Sequence, residues 1–290
     1  MAAEFAIREA GNKDVRSWVV AQVLSLLPGT AGIWLLAKKE TRVKARVYFD
    51  KFILEAADEA QGRHELVLLV LARNSPVNAT ANVASQVAER SQGSVQVTLL
   101  LHSLQDFRSS RGNQAFFFKS CVECGKLLYQ NPADRPGREF QKDLAFNFQK
   151  SLEFFRARQY TAAGLLRAAV SACEQKDTAI CRMLLHNAVS QVLLGLIKAR
   201  SGYRPNHYAL GYLFDLCGLF TTVPRDLFPC TDPESRRLFG ILAAHPSSLR
   251  HESPDCYELQ DMEHLLDRAQ KLASGAGKMV SGLRRDSIRN

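Results

Sequence analysis

The apolar pattern of the chain changes once, at the segment NPADRPGREFQ (131–141), and this change most constrains the fold. Before the segment, apolar residues form short continuous runs, whereas after it they recur with a period near 3.6 residues. The segment itself holds two prolines, a glycine and several charges, which is typical of a linker. Because 290 residues exceed the ordinary size of one core, the sequence predicts two domains, 1–131 and 132–290.

The first domain contains three apolar runs that predict buried strands: GIWLLA at 32–37, HELVLLVLA at 64–72 and VQVTLLLHS at 95–103. The last two are uninterrupted enough to suit central strands that are covered on both faces. Residues 78–91 carry an apolar stripe with helical spacing between those strands. Strand, helix and strand in this order predict an α/β layer.

The second domain shows only helical spacing and is predicted to be all-helical. Asp232 before Pro233 and Glu234 supplies a capping side chain, a first-turn proline and an acid suited to the helix dipole. The predicted helices are 138–158, 159–175, 177–200, 207–220, 233–244 and 258–274.

The charge balance limits the classes of binding partner, and the cysteine content indicates the cellular compartment. Lysine and arginine exceed aspartate and glutamate by 38 to 29, which favours anionic partners such as nucleotides, RNA or an acidic protein. Seven cysteines, an odd number, and a first segment without an apolar core favour the reducing cytoplasm. The uncharged run 19–37 is interrupted by PGTAG at 28–32, so we expect a helix, a turn and a strand there, and no membrane span.

The sequence predicts no metal and no cofactor. Cys121 and Cys124 have the spacing of half a zinc site, but no second pair follows, and a structural role is the simpler alternative. The acids of the first domain are scattered and form no Asp-x-Asp that would hold two magnesium ions. Neither a Gly-x-Ser-x-Gly nucleophile motif nor a glycine-rich phosphate loop occurs.

Two pairs of arginine and histidine are candidates for metal-independent RNA cleavage. Arginine can stabilise the anionic phosphorane while histidine moves a proton. Arg182 and His186 are one helical turn apart on a shared face. The alternative is that His186 is a histidine at the edge of the core, bonded to a backbone carbonyl. Arg250 and His251 adjoin in a predicted loop and are either an exposed pair or an anion contact.

The stretch GYRPNHYALGYLFDLCGLF (202–220) raises a further candidate. Asn206 is a natural N-cap, so Arg204 and His207 are expected beside the positive end of a helix. Unpaired backbone N–H groups at such an end attract anions. The stretch is therefore either a helix start alone or an anion site built on one.

Residues 179–220 and 233–272 resemble the HEPN domain family, in the branch of the C-terminal domain of sacsin and of bacterial proteins with an N-terminal nucleotidyltransferase-like domain. The resemblance implies an α+β chain: an α/β nucleotidyltransferase-like domain, then an all-α HEPN up-and-down helical bundle. The features that match are Leu185-His186-Asn187-Ala188, Gly202-Tyr203-Arg204, His207 with Leu210 and Leu213, Arg237-Leu238-Phe239, and Arg250.

Departures from these families argue against enzyme activity. Active nucleotidyltransferases of this type have Gly-Ser after the first strand and then Asp-x-Asp, whereas this chain has Ala37-Lys38-Lys39-Glu40. The HEPN ribonucleases have an arginine, four to six residues and a histidine near the third helix. Arg200 and His207 fit that spacing but bracket a predicted loop, and Arg250 is followed directly by His251.

The resemblance implies a non-catalytic nucleotide- or RNA-binding protein, with an adaptor role and a homodimer formed through the helical domain. Two alternatives stay open, a metal-independent HEPN ribonuclease and a protein-interaction scaffold without a nucleotide ligand. The predicted ligand-binding residues are His186, Lys198, Arg204, His207, Arg250 and His251.

Overall fold

The computed structural model describes residues 12–40, 43–47, 64–74, 78–134, 140, 144–253 and 255–287. It divides into two compact units, Met1–Phe146 (the sheet unit) and Asn147–Asn290 (the helical unit). The predicted boundary after residue 131 comes earlier, at the end of the last strand. Residues 135–139 and 141 of the predicted linker lie outside the described residues.

The sheet unit mixes helices and strands, as the apolar runs predict. Its described elements are α1 (Asn12–Leu26), β1 (Thr30–Glu40), β2 (Val43–Val47), β3 (His64–Ala72), α2 (Ala79–Arg90), β4 (Val95–Ser103), α3 (Leu104–Ser109), α4 (Gly112–Cys124), β5 (Lys126–Gln130) and a 3₁₀ turn (Pro132–Asp134).

Strand β1 lies at the centre of the sheet. It pairs antiparallel with β3 along one edge, while β2 and β5 share its other edge, both antiparallel. β3 and β4 are parallel and α2 connects them, which is the crossover that parallel neighbours require. β3 is central as predicted, but β4 pairs with β3 alone among the described strands.

Apolar side chains of the sheet and of α1 and α2 form one core. Alternate residues of β3 and β4 face this core, because strand residues two positions apart lie on the same face of the sheet. The fully or nearly fully buried members include Val19, Val23, Ile33, Leu35, Leu66, Leu68, Val70, Val83, Val87, Leu99 and Leu101.

The helical unit contains helices and one 3₁₀ turn among its described residues. These are α5 (Phe148–Glu174), α6 (Thr178–Ser201), α7 (Leu210–Cys217), α8 (Val223–Leu227), α9 (Pro233–Ala243), the 3₁₀ turn Pro246–His251, and α10 (Leu259–Ser287). The chain is thus a mixed α/β region followed by helices.

Several predicted helices have different bounds in the structure, among them 207–220, which is helical only from Leu210 to Cys217. From Phe148 onward the predicted helices 138–158 and 159–175 form the single helix α5, because the buried stripe of Phe155, Ala162 and Leu166 continues past residue 158 without a break. Residues 144–147 of the first prediction are not helical. The segment 258–274 is extended by α10 to Ser287. The start of α9 is as predicted, since Asp232 caps it through a reciprocal capping box with Ser235.

Helix α6 runs through the core of the helical unit. Sixteen of its 24 residues are buried, and by length and composition it is apolar enough to cross a membrane. In this structure 67% of its most apolar stretch is buried inside the protein, as in a core helix, so the composition is weak evidence for a span. The uncharged run 19–37 forms the predicted helix, turn and strand.

The close packing of α5 on α6 depends on Gly195. A Cβ atom at Gly195 would lie 3.0 Å from Cδ2 of Phe155 and 3.4 Å from Cβ of Arg158. Both helices are long, so their whole contact would shift if this point were forced apart. A residue without a side chain is therefore required at this crossing.

We predict that Gly195→Leu lowers the free energy of unfolding by about 1–3 kcal/mol, because the added side chain overpacks the contact with Phe155. Gly240→Ala is the matched control, since a Cβ there meets no atom within 4 Å. The control should raise stability by about 0.5–1 kcal/mol through helix propensity alone. Denaturant unfolding of the full chain measures both, and equal effects of the two variants would contradict the packing account.

Candidate functional site

Helix α6 and the segments beside it carry the predicted ligand-binding residues in separate places. His186 and Lys198 lie on α6, Arg204 and His207 follow in the loop 202–209, and Arg250 and His251 lie on the 3₁₀ turn. His186 and Lys198 are twelve residues apart, which is about 18 Å along a helix. The two side chains therefore cannot contact one phosphate group, although binding by any of the six stays a prediction.

His186 is a buried histidine with a backbone partner. Its side chain is 6% exposed, and Nδ1 lies 2.9 Å from the carbonyl oxygen of Leu242 in α9. Since a carbonyl can only accept, Nδ1 carries the hydrogen. Burial lowers the pKa of His186, the hydrogen bond to Leu242 offsets part of this, and the charge of Arg182 lowers the pKa further. The histidine is thus neutral at pH 7, in line with the alternative of a core-edge histidine.

The neighbouring Arg182 is fully buried, with no exposed side-chain surface. One terminal nitrogen donates to the carbonyl oxygen of Ala244 at 2.9 Å, and the other lies 3.0 Å from Oγ of Ser248 and 3.0 Å from Oε2 of Glu252. Its Nε is buried without a hydrogen-bond partner among the described residues. The guanidinium is enclosed by the protein, so Arg182 and His186 do not form an open pair for RNA cleavage.

Glu252 completes this buried cluster. Its Oε1 accepts hydrogen bonds from the hydroxyl of Ser248 and, at 2.9 Å, from that of Tyr257, whose ring lies 5.7 Å from the Arg182 guanidinium. Burial alone raises the pKa of Glu252. The hydrogen bonds from Ser248 and Tyr257 and the charge of Arg182 outweigh burial, so the pKa lies below its usual range.

The Arg182 cluster was missed by sequence reasoning because its members are far apart in the chain. Ser248 and Glu252 follow Arg182 by 66 and 70 residues, and both belong to a polar segment without periodicity. The cluster holds the 3₁₀ turn at both ends, which leaves Arg250 and His251 exposed on it. The exposed position predicted for this pair is thus observed, on a 3₁₀ turn.

The loop after α6 does not begin a helix where the sequence predicts one. α7 starts at Leu210 with Ala209 at its N-cap position, so Asn206 does not cap it, and Arg204 and His207 are not beside its first turn. Burial of Tyr203, which is 1% exposed, fixes the loop in an irregular path. Packing here overrides the capping preference of Asn206.

The end of α6 places Lys198 beside the loop that carries Arg204. Gly202 ends the helix in the left-handed conformation, with φ of 73°, and its carbonyl oxygen accepts a 2.6 Å hydrogen bond from Nζ of Lys198. Burial and then the like charge of Arg204 lower the pKa of Lys198 to about 8. Arg204 itself is exposed. This pair, Lys198 and Arg204, is the α6-end cation pair.

His207 contributes no full charge to this region at neutral pH. Its ring is half-buried and meets the ring of Tyr212 edge-on, with centroids 5.0 Å apart. Burial lowers its pKa from a value that is already below 7. Arg200, which fits the ribonuclease spacing with His207, lines a groove beside Phe220.

Neither metal candidate of the sequence forms a cluster in the part of the chain that the structure describes. No group of three or more His, Cys, Asp or Glu side chains there could hold a metal ion. Cys121 is buried and Cys124 exposed, and burial raises the pKa of Cys121. Lys38 and Lys39 extend β1, where Lys39 pairs with Glu65 at 4.0 Å.

Comparison with known proteins identifies no family. No protein-family model matches the chain, and no curated protein matches it. Among solved structures, the chain is similar to a nucleotidyltransferase-like protein from Exiguobacterium sibiricum 255-15, at 14% identity over 93% of this chain and 79% of that one. The TM-score of this match is 0.28.

We predict that Glu252→Gln lowers the free energy of unfolding by about 3–5 kcal/mol at neutral pH, because it leaves the Arg182 charge buried without its counter-charge. Asp267→Asn is the control, as it breaks the exposed pair with Lys271 and should cost at most about 1 kcal/mol. Urea unfolding measures both. A loss for Glu252→Gln no larger than the control would show that the buried pair does not stabilise the unit.

The same pair predicts a pH dependence. The folded-state pKa of Glu252 is lowered, so its contribution is complete above the unfolded-state pKa of about 4.3 and is lost as the pH falls through the folded-state value. The stability difference between the wild type and Glu252→Gln should therefore be constant from pH 7 to about 5 and should shrink below about pH 4. A difference that does not shrink in acid would contradict this assignment.

Proposed function

We propose that this protein is a non-catalytic binding protein for RNA or nucleotides, and that the α6-end cation pair holds a phosphate group. The observation that carries the proposal is the position of Lys198, whose ammonium is held by the carbonyl of Gly202, two residues before the exposed Arg204. One cation lies on the last turn of α6 and the other in the loop that follows, and phosphate accepts charge-assisted hydrogen bonds from both side-chain types.

Electrostatic coupling between the two cations supports a phosphate ligand. Burial and, after it, the like charge of Arg204 disfavour the charged form of Lys198 and lower its pKa. A phosphate in contact with both side chains would offset that repulsion and favour the charged form of Lys198. Binding of the anion and protonation of Lys198 are then linked, so affinity should fall as the pH rises above about 8.

The helix dipole opposes an anion at this end of α6, but it is the smaller effect. A helix C-terminus carries about half a negative charge, whereas the α6-end cation pair carries up to two positive charges. The hydrogen bond from Lys198 also satisfies the carbonyl of the capping residue Gly202. The local field therefore remains attractive to phosphate.

The exposed Arg250 and His251 supply a second basic point on the helical unit and favour RNA over a mononucleotide. Arg182, whose cluster holds their 3₁₀ turn, is sixteen residues from Lys198, or about 24 Å along α6. A single nucleotide that contacts Lys198 is too small to reach that end of the helix. An extended polyanion has phosphates to offer both points.

The non-catalytic part of the proposal is supported by the burial of Arg182 and His186, which do not form an open pair for RNA cleavage. We further propose that the helical unit is a HEPN-like bundle and that the sheet unit is a nucleotidyltransferase-like scaffold without activity, since β1 continues through Lys38 and Lys39. A homodimer formed through the helical unit and a cytoplasmic location complete the proposal.

We predict that the double variant Lys198→Gln/Arg204→Gln weakens binding of a fluorescent single-stranded oligoribonucleotide at least tenfold at low salt. Its dependence on salt should also become shallower, by about 0.7 in log–log slope for each lost phosphate contact. Fluorescence anisotropy with the full chain measures both quantities. Thermal unfolding of each variant checks that the fold is retained.

A charge-matched control is Lys150→Gln/Arg156→Gln, which removes two exposed cations from α5. Equal losses for both double variants would mean non-specific attraction and would refute the site.

Arg250→Ala should weaken binding of the oligoribonucleotide but not of AMP, and an equal effect on both would refute the second contact point. Cleavage of the RNA in EDTA, lost on His207→Ala or His251→Ala, would replace the proposal with the ribonuclease alternative.

A further inference from the structure

Helix α5 carries an exposed stripe with a tyrosine at its centre. Glu153, Tyr160 and Arg167 recur every seven residues, so they lie on one side of the helix with a drift of only about 20° per repeat. All three are exposed, and the Tyr160 side chain is 80% exposed. Gln159, about 100° around the helix, donates to the carbonyl of Ala273, so α10 packs beside this stripe and does not cover it. We call the three residues the α5 outer stripe.

The surroundings of Tyr160 allow another surface to approach its ring closely. Four residues lie one turn away from it, and of these Ala157, Ala163 and Gly164 are small while Arg156 is an exposed cation. The aromatic ring therefore projects from a nearly flat surface. Tyrosine is enriched among the residues that anchor protein interfaces, where its ring is enclosed at the centre of the contact.

The α5 outer stripe has opposite charges at equal distances from Tyr160. Glu153 is seven residues before Tyr160 and Arg167 seven residues after it, or about 10.5 Å along the helix in each direction. Glu153 accepts a 3.0 Å hydrogen bond from Gln149. A terminal nitrogen of Arg167 lies over Gly164, 3.8 Å from the position that a Cβ atom would have there, so the guanidinium is directed towards Tyr160.

This charge pattern is complementary to itself. When two copies of α5 pack antiparallel about a two-fold axis at Tyr160, Glu153 of each copy lies opposite Arg167 of the other. Parallel packing places like charges opposite each other, which disfavours that arrangement. A two-fold contact between identical surfaces is the commonest form of protein homo-oligomer. RNA fits the stripe less well, because Glu153 repels phosphate.

We propose that a second copy of this chain docks antiparallel on the α5 outer stripe, with the two Tyr160 rings in contact at the axis and two ion pairs between Glu153 and Arg167 around them. The inference rests on the homodimer of the proposed function and names its surface. It is independent of the phosphate contact at Lys198 and Arg204. Because one helix pair is a small interface, we expect a dimer Kd on the order of 10–100 µM.

Charge reversal tests the pairing, with self-association of the full chain measured by sedimentation equilibrium. Glu153→Arg and Arg167→Glu should each weaken self-association by roughly tenfold or more, because each variant places like charges opposite each other. When the two variants are mixed, both contacts join opposite charges, so the mixture should associate within about threefold of the wild-type affinity. The double variant Glu153→Arg/Arg167→Glu should self-associate to the same extent. Tyr160→Ala should weaken self-association by roughly tenfold or more.

Asp267→Arg is the matched control, because it reverses an exposed charge on α10 and should leave self-association unchanged. Thermal unfolding checks that each variant keeps the fold. A chain that stays monomeric up to about 1 mM, a dimer that tolerates the reversals, or a mixture that does not associate would overturn the proposal.

Loss of oligoribonucleotide binding in Tyr160→Ala without loss of self-association would assign the stripe to RNA and would also overturn the dimer surface. The phosphate contact fails separately. RNA binding that persists in the monomeric variants keeps that contact, and a dimer that persists in Lys198→Gln/Arg204→Gln keeps the α5 outer stripe.

Discussion

The ion pair between Arg182 and Glu252 sets the geometry of the helical unit around α6. A guanidinium with no exposed surface is costly to bury unless it is paired, and here Ala244, Ser248 and Glu252 supply acceptors to its two terminal nitrogens from segments more than sixty residues away. The end of α9 and the 3₁₀ turn are thereby tied to the first half of α6. The exposed position of Arg250 and His251 follows from this attachment.

The second half of α6 serves a different purpose from the first. The first half buries its polar side chains, Arg182 and His186, whereas the last turn directs Lys198 and Arg200 to different sides of the helix. A core helix reaches the surface only at its end. The last turn of α6 therefore has a polar loop on one side and an apolar groove on another. The proposed phosphate contact depends on where α6 stops, at the left-handed Gly202.

Local signals in the sequence predicted local structure well. The apolar runs predicted β1, β3 and β4, and the Asp232-Pro233 signal predicted the start of α9, since strand burial and capping depend on neighbouring residues. The capping preference of Asn206 failed because burial of Tyr203 determines the path of that loop. For the site, His186 and Arg250 were identified as candidates, but Ser248 and Glu252 were not. Partners brought together by tertiary packing leave no periodic signal, so they become visible only in the fold.

The pairing of β1 has a consequence for synthesis of the chain. Its outer edge is covered near Gly32–Leu35 by β5, in which Tyr129 lies opposite Ile33 almost a hundred residues later. While the ribosome is still translating the intervening helices, that edge has no β5 to bond with and is open to strands of other chains. Nascent chains that stall before Lys126 are therefore the ones that chaperones would have to shield.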